Sequence, residues 1–457
     1  MTLEVNLDLV KKYQRPGPRY TSYPPAPHFR DDMTVADWEA KLRENNADGS
    51  RDLSLYLHLP YCDTLCYFCG CNMVVTRDRG KVADYVASIS REIDLLRSRI
   101  HPDRKVVQLH FGGGTPTHLL PDEIRALGGK LREAFPYADD VEIGCEMDPR
   151  ELTRDHVVAL REIGCNRASL GVQDHDPKVQ KAVHRIQPRE IVEEAISWIR
   201  DVGIESLNID LIYGLPHQSS ASFEPTLRAM LDVGPDRFAI FNYAHVPWMK
   251  AHQKLIREED LPSGEEKLRM LKMIIETLTS SGYVYVGMDH FAREQDELAV
   301  AQRRKTLQRN FQGYSTKAGA DIYGFGMSAI SQLVDSYAQN VTDIPLYRAR
   351  VADGVLPLHR GYVLTTDDRI RREVIMTLMC HLEIGFDEMA RRTGCGDFRE
   401  YFAAELAGLD GFEQDGLLVR DDEGFRITEP GRLFVRNVAM RFDAHLGSEH
   451  GRYSKTV

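Results

Sequence analysis

Leu53, Leu55, Leu57 and Leu59 alternate with Ser54, Tyr56 and His58, the two-residue period of a strand with unlike faces. Strand-like runs recur at 106–111, 141–147, 167–172, 206–212 and 237–243, with a seventh expected at 283–287. Between them the apolar period lengthens, and helices are predicted over 81–99, 122–133, 153–163, 189–202, 222–231 and 264–280. In SWIRDVGIESLNIDLIYGLP one helix stops at Gly203 and the next strand stops at a Gly-Pro-flanked turn, as breaker residues dictate. Six or more such units in succession predict an α/β fold built on a parallel sheet with right-handed crossovers. Closed or nearly closed, that sheet is a partial TIM-type (β/α)6 barrel, expected over 51–365, with its chemistry on the loops after the strands.

The flanks read differently. The first 50 residues are proline-rich around GPRYTSYPPAPHF and are expected to wrap the barrel as an extended arm. Beyond 365, helices at 367–382 and 398–407, two short strands in GLLVRDDEGFRIT and the helix-like EPGRLFVRNVAMRFD predict a small, mostly helical, winged-helix-like domain over 366–457. Nucleic-acid binding by that domain is disfavoured against a lid or scaffold role, because the segment is not strongly basic.

Composition narrows the function classes. With 457 residues, 42% hydrophobic and 28% charged, the chain is long and apolar enough to bury a full core. A net charge of -11 without a long basic run argues against non-specific nucleic-acid binding. The start, MTLEVNLDLVKKY, lacks a cationic-then-apolar signal, and no run reaches the roughly 18 apolar residues of a membrane helix. A cytoplasmic location is therefore expected, with no membrane partner. There the eight cysteines should be thiols or ligands rather than disulfides. Cys145, Cys165, Cys380 and Cys395 are scattered, as buried small hydrophobes usually are.

The other four sit in one loop, YCDTLCYFCGCN, directly after the first strand. Structural zinc usually joins two cysteine pairs from separate turns, and Cys69-Gly70-Cys71 leaves little slack for a closed tetrahedron. Redox-sensor thiols are the other alternative. If Cys62, Cys66 and Cys69 alone bind a 4Fe–4S cluster, one iron stays open to chelate S-adenosylmethionine (SAM), whose reductive cleavage releases a 5′-deoxyadenosyl radical. The C-x3-C-x2-C spacing with an aromatic before the last cysteine resembles the radical SAM superfamily signature.

Each later strand also ends in something unusual. HFGGGTPT offers close backbone approach and free N–H donors, without the Lys-Ser/Thr of a phosphate loop. Glu146 ends the third strand, where a carboxylate can accept from ribose hydroxyls or an ammonium. A surface pair or helix cap is the alternative. Gln173, Arg185 and Asp210 follow at or after the fourth and fifth strands. One such polar group is ordinarily a satisfied core residue, but several converging favour a ligand site.

Over essentially its whole length the chain resembles the oxygen-independent coproporphyrinogen III oxidases, a radical SAM family of heme biosynthesis. The resemblance rests on GPRYTSYP, YLHLPYCDTLCYFCGCN, HFGGGTPT, CEMDPRE, SLGVQD, NIDLIYGLP, FNYAH, GMDHFA, QRNFQGY and GFGMSAIS. It implies oxidative decarboxylation of two propionates of coproporphyrinogen III to vinyl groups, giving protoporphyrinogen IX, with SAM as oxidant. It further implies two SAM molecules. The first would meet Tyr56, Gly113, Glu146 and Ile330; the second would meet Phe68, Gly114, Thr115, Gln173, Arg185, Asp210 and Ala244. Cys71 would not be a cluster ligand. Cys145, before Glu146, departs from the family pattern and is expected to be a buried thiol. Four substrate propionates call for fixed cations, and arginine suits bidentate carboxylate recognition. Arg19, Arg293 and Arg309 are the candidates. A flavodoxin-like electron donor and a monomeric state are expected. The rivals are a heme chaperone, a radical SAM methyltransferase acting on heme and a winged-helix regulator. The CGC ending and the GPRYTSYP arm favour the oxidase over the chaperone.

Overall fold

The computed structural model describes residues 3–447 and 453; residues 1–2, 448–452 and 454–457, the ends of the predicted arm and C-terminal domain, lie outside the described residues. The chain divides into two compact units. The larger comprises 30–267 and 319–362, and the smaller comprises 1–29, 268–318 and 363–457.

The larger unit is built on six parallel strands: β1 (Leu53–Leu59), β2 (Val106–Gly113), β3 (Tyr137–Met147), β4 (Arg167–Gln173), β5 (Ser206–Tyr213) and β6 (Arg237–Asn242). They lie side by side in chain order. Helices α1 (Arg79–Arg97), α2 (Pro121–Ala134), α3 (Arg154–Glu162), α4 (Arg189–Asp201) and α5 (Ser220–Val233) form the crossovers. Outside β1 the sheet continues through β7 (Asp321–Phe325), which runs parallel to β1. It then passes to β8 (Ile330–Gln332), β9 (Ser336–Asn340) and β10 (Leu358–Val363). β7–β8 and β8–β9 are antiparallel, so the architecture is α/β with an open sheet rather than a closed ring of strands.

Side-chain alternation sets the two faces. Leu53, Leu55 and Leu57 are wholly buried, and in β5 Leu207, Ile209, Leu211 and Tyr213 are buried while Asn208, Asp210 and Ile212 are half-exposed. The helices start where sequence chemistry supplies caps. Asp78 accepts from the Gly80 and Lys81 amides ahead of α1, Thr153 pairs reciprocally with His156 ahead of α3, and Ser219 with Ser222 ahead of α5. At the strands' starting end Arg104 and Asp321 form a fully buried ion pair. Arg104 also donates to Asn46 Oδ1 at 2.7 Å and Arg51 O at 2.7 Å, while Asp321 accepts from Asn45 at 2.6 Å. A buried pair is tolerable when its remaining hydrogen-bonding capacity is met in this way.

The smaller unit contains an antiparallel hairpin, Tyr283–Gly287 with His290–Arg293, the helix Glu297–Arg303 and the ribbon Gln308–Asn310 with Gly313–Ser315. Val286, Ala292, Leu298, Ala299, Ala301, Leu307, Tyr314 and Cys380 form its shared core. The predicted seventh strand is thus the first arm of a hairpin. The later part carries the helix Thr366–His381 and a three-stranded sheet in the order Glu383–Gly385, Gly424–Ile427, Leu418–Arg420. The helix expected over 398–407 breaks at the buried Phe402 into Phe398–Tyr401 and Ala403–Ala407. The helix-like final segment is a 3-10 turn, a short α-helix and a second 3-10 turn. The N-terminal segment is extended over only part of its length: Leu7–Tyr13 is helical behind an Asn6 cap, and Val35–Asn45 behind a Thr34 capping box. Among the described residues no helix is long and apolar enough to cross a membrane.

Candidate active site

The cysteine loop leaves the sheet at the end of β1 and is pinned at its base. Tyr61–Cys62 pairs with Val74–Val75, and the Val74 and Thr76 amides donate to Pro60 O and Cys62 O at 2.8 and 3.0 Å. Tyr67 and Phe68 pack against the buried cluster of Val179, Val183, Leu215, Tyr243 and Ile256, which leaves the cysteines on the polar side. Gln253 and His252 donate to Phe68 O at 2.9 Å and Cys69 O at 2.7 Å, and Lys250 to Cys71 O at 2.9 Å.

The four thiols are not equivalent. Cys62 Sγ accepts from the Thr115 hydroxyl at 3.3 Å. Cys66 Sγ accepts from Arg150 at 3.4 Å and Arg185 at 3.5 Å. Cys69 Sγ accepts from the Cys71 amide at 3.4 Å. Cys71 is the exposed one. Hydrogen bonding from Cys71, with His252 and Lys250 nearby, outweighs burial and brings the Cys69 thiol down to about 6, whereas burial pushes Cys62 up to about 12. Sulfurs that already receive N–H and O–H donors become a chemically suitable donor set for iron once deprotonated. Cys145 is buried as expected, but Cys395 is only half-buried.

Beside the loop lies a glycine platform. Gly113 has φ of +119°, in the region that favours glycine. A Cβ on Gly114 would lie 2.5 Å from Pro60 O and 3.0 Å from Cys62 Sγ, and one on Gly112 would lie 3.0 Å from Glu146 Oε1 and 3.1 Å from Tyr56. Loop backbone, Glu146 and Tyr56 can therefore approach this turn so closely only because side chains are missing there. The Gly114 and Thr115 amides donate to Leu59 O and Tyr61 O at 2.8 and 2.9 Å. The Gly113 amide donates to Glu146 Oε2 at 3.3 Å, and His110 Nε2 lies 3.3 Å from Glu146 Oε1. Burial raises the Glu146 carboxyl, but His110 and the Gly113 amide more than offset it, so its pKa lies below the ordinary carboxylate value. Tyr56 pairs with His110 across β1–β2, and their rings stack 6.1 Å apart with nearly parallel planes. The Tyr56 hydroxyl meets His58 Nδ1 at 3.1 Å, and His58 Nε2 meets Asn72 O at 2.8 Å.

Farther along the same face, Asp210 accepts from Ser169 at 2.9 Å and from Asn208 at 2.7 Å. Burial dominates there and raises its pKa to about 7. Asp148 is also buried, but Arg185 at 2.8 Å and Arg150 at 2.6 Å hold it down at about 2. Arg185 donates as well to Gly171 O at 2.6 Å. Gln173 sits at φ of +64° with a buried Oε1 that has no hydrogen-bond partner among the described residues.

Cys62, Cys66, Cys69, Tyr56, Gly113, Gly114, Thr115, Glu146 and Arg185 are thus joined by direct contacts or shared partners. Asp210 and Gln173 lie on neighbouring strands of that face. Ile330 begins β8 beside Gly324, the β7 partner of Tyr56, and Ala244 is exposed just after β6. In the smaller unit Arg309 donates to Arg19 O at 3.2 Å. Arg293 instead lies 5.4 Å over the Tyr283 ring, at the other end of the hairpin from His290. Sequence reasoning missed His58, His110, Asp148, Arg150, Ser169 and Asn208. His58 and His110 were signalled by strand period, and Asp148 and Arg150 by their place in CEMDPRE.

A cysteine loop beyond the first parallel strand, with a glycine platform beyond the second, defines the class: residues 56–230 match the Radical SAM superfamily profile. Residues 364–434 match the HemN C-terminal domain. The chain is 45% identical over 459 residues to the oxygen-independent coproporphyrinogen III oxidase of Pseudomonas aeruginosa, covering 100% of this chain and 99% of that one. It is 46% identical over 444 residues to that of Salmonella typhimurium, covering 97% and 96%. The solved structure of coproporphyrinogen III oxidase (HemN) from Escherichia coli, described as a radical SAM enzyme, superposes with a TM-score of 0.92 at 43% identity, covering 98% of this chain and all of that one. The chain belongs to the oxygen-independent coproporphyrinogen III oxidase family.

Proposed function

We propose that this chain decarboxylates two propionate side chains of coproporphyrinogen III to vinyl groups without oxygen, yielding protoporphyrinogen IX. The observation that carries the reading is the pairing of three hydrogen-bonded cysteine sulfurs with the closely packed glycine turn at the end of β2. When bound, a reduced 4Fe–4S cluster with SAM supplies a hydrogen-abstracting 5′-deoxyadenosyl radical. Cys62, Cys66 and Cys69 hold the cluster in this proposal, and Cys71 does not.

The rest of the site positions and shields. Gly113 with Tyr56, Glu146 and Ile330 receives one SAM. Glu146, held ionised, takes hydroxyl or ammonium donors. Phe68, Gly114, Thr115, Gln173, Arg185, Asp210 and Ala244 receive a second, and the partnerless Gln173 Oε1 supplies an acceptor. Arg19, Arg293 and Arg309 are proposed for the substrate's carboxylates. The strands are read as a partial (β/α)6 barrel over 51–365, preceded by an arm over 1–50 and followed by a winged-helix-like domain over 366–457. The protein is placed in the cytoplasm as a monomer served by a flavodoxin-like donor; the reduced-thiol chemistry of the loop supports that compartment.

The test is anaerobic reconstitution with iron and sulfide, followed by incubation with reductant, SAM and coproporphyrinogen III. Protoporphyrinogen IX with methionine and 5′-deoxyadenosine is expected. Tight heme transfer without decarboxylation, or a methylated porphyrin, would replace the reading with a chaperone or a methyltransferase.

A further inference from the structure

Within the smaller unit, three distant segments bring arginines to one place, two of them buried. Arg19 comes from the N-terminal segment, Arg309 from the ribbon and Arg436 from the short helix Val435–Ala439. Arg309 and Arg436 are 6% and 4% exposed. Arg19 is ion-paired with Asp289, and Arg309 Nε donates to Arg19 O at 3.2 Å. The guanidinium of Arg309 lies 4.7 Å over the Tyr314 ring, whose edge meets His290 at 5.5 Å between centroids. Tyr314 pairs with Arg309 across the ribbon and donates to Met379 O, so the platform under the guanidinium is fixed.

Arg309 is the informative member. It has no carboxylate partner, and its Nη1 is buried without a hydrogen-bond acceptor among the described residues. A buried guanidinium in that state is costly unless an anion completes it. The surroundings add positive charge. Arg436 is lowered to about 10 by burial and by Arg19, with Arg309 contributing, and Asp289 is the carboxylate acting against them. His290 is brought down to about 4 by burial, then by Arg309, so it stays neutral and adds a ring rather than a charge.

We propose that Arg309, stacked on Tyr314 and supported by Arg19 and Arg436, forms a carboxylate-binding pocket that takes a propionate of the porphyrinogen substrate, with Asp289 as the internal counter-ion that holds Arg19 beforehand. This rests on the oxidase reading for the ligand's identity. The pocket's preference for a carboxylate follows from the residues alone. Arginine over an aromatic face presents its fork edge-on, which suits a planar carboxylate.

The probe is coproporphyrin III, the air-stable tetra-acid, titrated into the full-length protein alongside its tetramethyl ester. KM for coproporphyrinogen III is measured on the reconstituted enzyme. Wild type should bind the acid at least about tenfold tighter than the ester. Arg309→Gln should weaken acid binding and raise KM by roughly thirtyfold, leaving the ester little changed. Arg309→Lys should fall between, because it keeps charge but loses the fork. Asp289→Asn should bind the acid at least as tightly as wild type, since Arg19 loses its internal partner. Arg228→Gln, at an exposed helix pair, should change nothing. Unchanged acid binding in Arg309→Gln overturns the pocket, as does equal loss for acid and ester. A loss in Asp289→Asn matching that of Arg309→Gln also overturns it. Carboxylate-selective, Arg309-dependent binding in a protein that makes no protoporphyrinogen keeps the pocket and removes the oxidase reading.

Discussion

Adding one methyl group at Gly114 tests whether the glycine platform and the cysteine loop are one mechanical unit. The Cβ of Gly114→Ala would lie 2.5 Å from Pro60 O and 2.7 Å from Pro60 C, both backbone atoms, and 3.0 Å from Cys62 Sγ. Reaching an ordinary carbon–oxygen separation of about 3.3 Å demands a displacement of about 0.8 Å. Neither side is free to give it. Gly114 is tied to Leu59 O, Thr115 to Tyr61 O and to Cys62 Sγ, and Val74 to Pro60 O. Overpacking of this kind costs about 1–3 kcal/mol, and a lost backbone hydrogen bond about 1 kcal/mol more. Together they depopulate the binding-ready loop by roughly thirty- to a thousandfold, at about 1.4 kcal/mol per decade. SAM affinity, measured by equilibrium dialysis on anaerobically reconstituted protein, should fall within that range, with iron per chain also reduced. Gly70→Ala is the matched control. It lies between Cys69 and Cys71, yet its Cβ would have no neighbour within 4 Å. Wild-type iron and SAM affinity in Gly114→Ala would refute the reasoning, as would equal losses in both variants.

Other outcomes follow from single residues. Cys66→Ser should abolish cluster iron, while Cys71→Ser, at the exposed thiol, should retain about four irons per chain; iron and sulfide analysis separates them. In α2, Gly128→Ala collides with Ile163 and should cost about 1–3 kcal/mol in denaturant unfolding. Its neighbour Gly129 has open space, and Gly129→Ala should stabilise by up to about 1 kcal/mol through helix propensity. Glu92 is wholly buried and raised to about 7 by that burial, although Gly326 N–H, Tyr347 and Asn340 donate to it. Its folded pKa exceeds the unfolded one, so its contribution is complete below about pH 4 and is lost as pH rises towards 7. That loss, about 3 kcal/mol at 1.36 per unit, should appear as a falling denaturant midpoint between pH 5 and 7 that flattens in Glu92→Gln.

Much of this was legible in the chain because alternation and spacing are local. The leucines of β1 announced a strand, and the capped helix starts needed only neighbouring residues. The first residues of β3 were missed because Tyr137-Ala-Asp-Asp is polar and lies half-buried or exposed; only pairing with Val106 makes it a strand. The run at 283–287 has a strand's composition, but its hairpin partner is chosen by tertiary packing. Phe402 interrupts a helical period because its ring is wholly buried, against Phe398 and Phe442. Within the site, the cysteines and glycines could be read from spacing. His110 could be placed on a face by period, but its meeting with Glu146 depends on the β2–β3 register. Arg436 was invisible as a pocket residue, since nothing local links it to Arg19 or Arg309.

Three acidic side chains in the larger unit show how one sheet face sets different protonation states with the same chemical group. Asp148 is buried and Glu146 and Asp210 are partly so, and loss of water alone would push each towards the neutral acid. Glu146 is kept ionised by His110 and a backbone amide and Asp148 by two guanidiniums, whereas at Asp210 the donors Ser169 and Asn208 and the charge of Arg185 do not overcome burial and the nearby Glu146 charge. Glu146 therefore faces the platform as a fixed anion, suited to hold a donor rather than to move a proton. Asp148 has its charge consumed by Arg150 and Arg185, and those same arginines reach Cys66 Sγ. Its effect is thus transmitted: it aims two N–H donors at a cluster-loop sulfur, and hydrogen bonds to sulfur are a principal lever on cluster potential. Asp210, near neutrality, is the one of the three whose oxygens can either donate or accept as a ligand requires. None stands free beside a nucleophile as a general base would. The face is organised to position and shield, which is what radical decarboxylation asks of a protein.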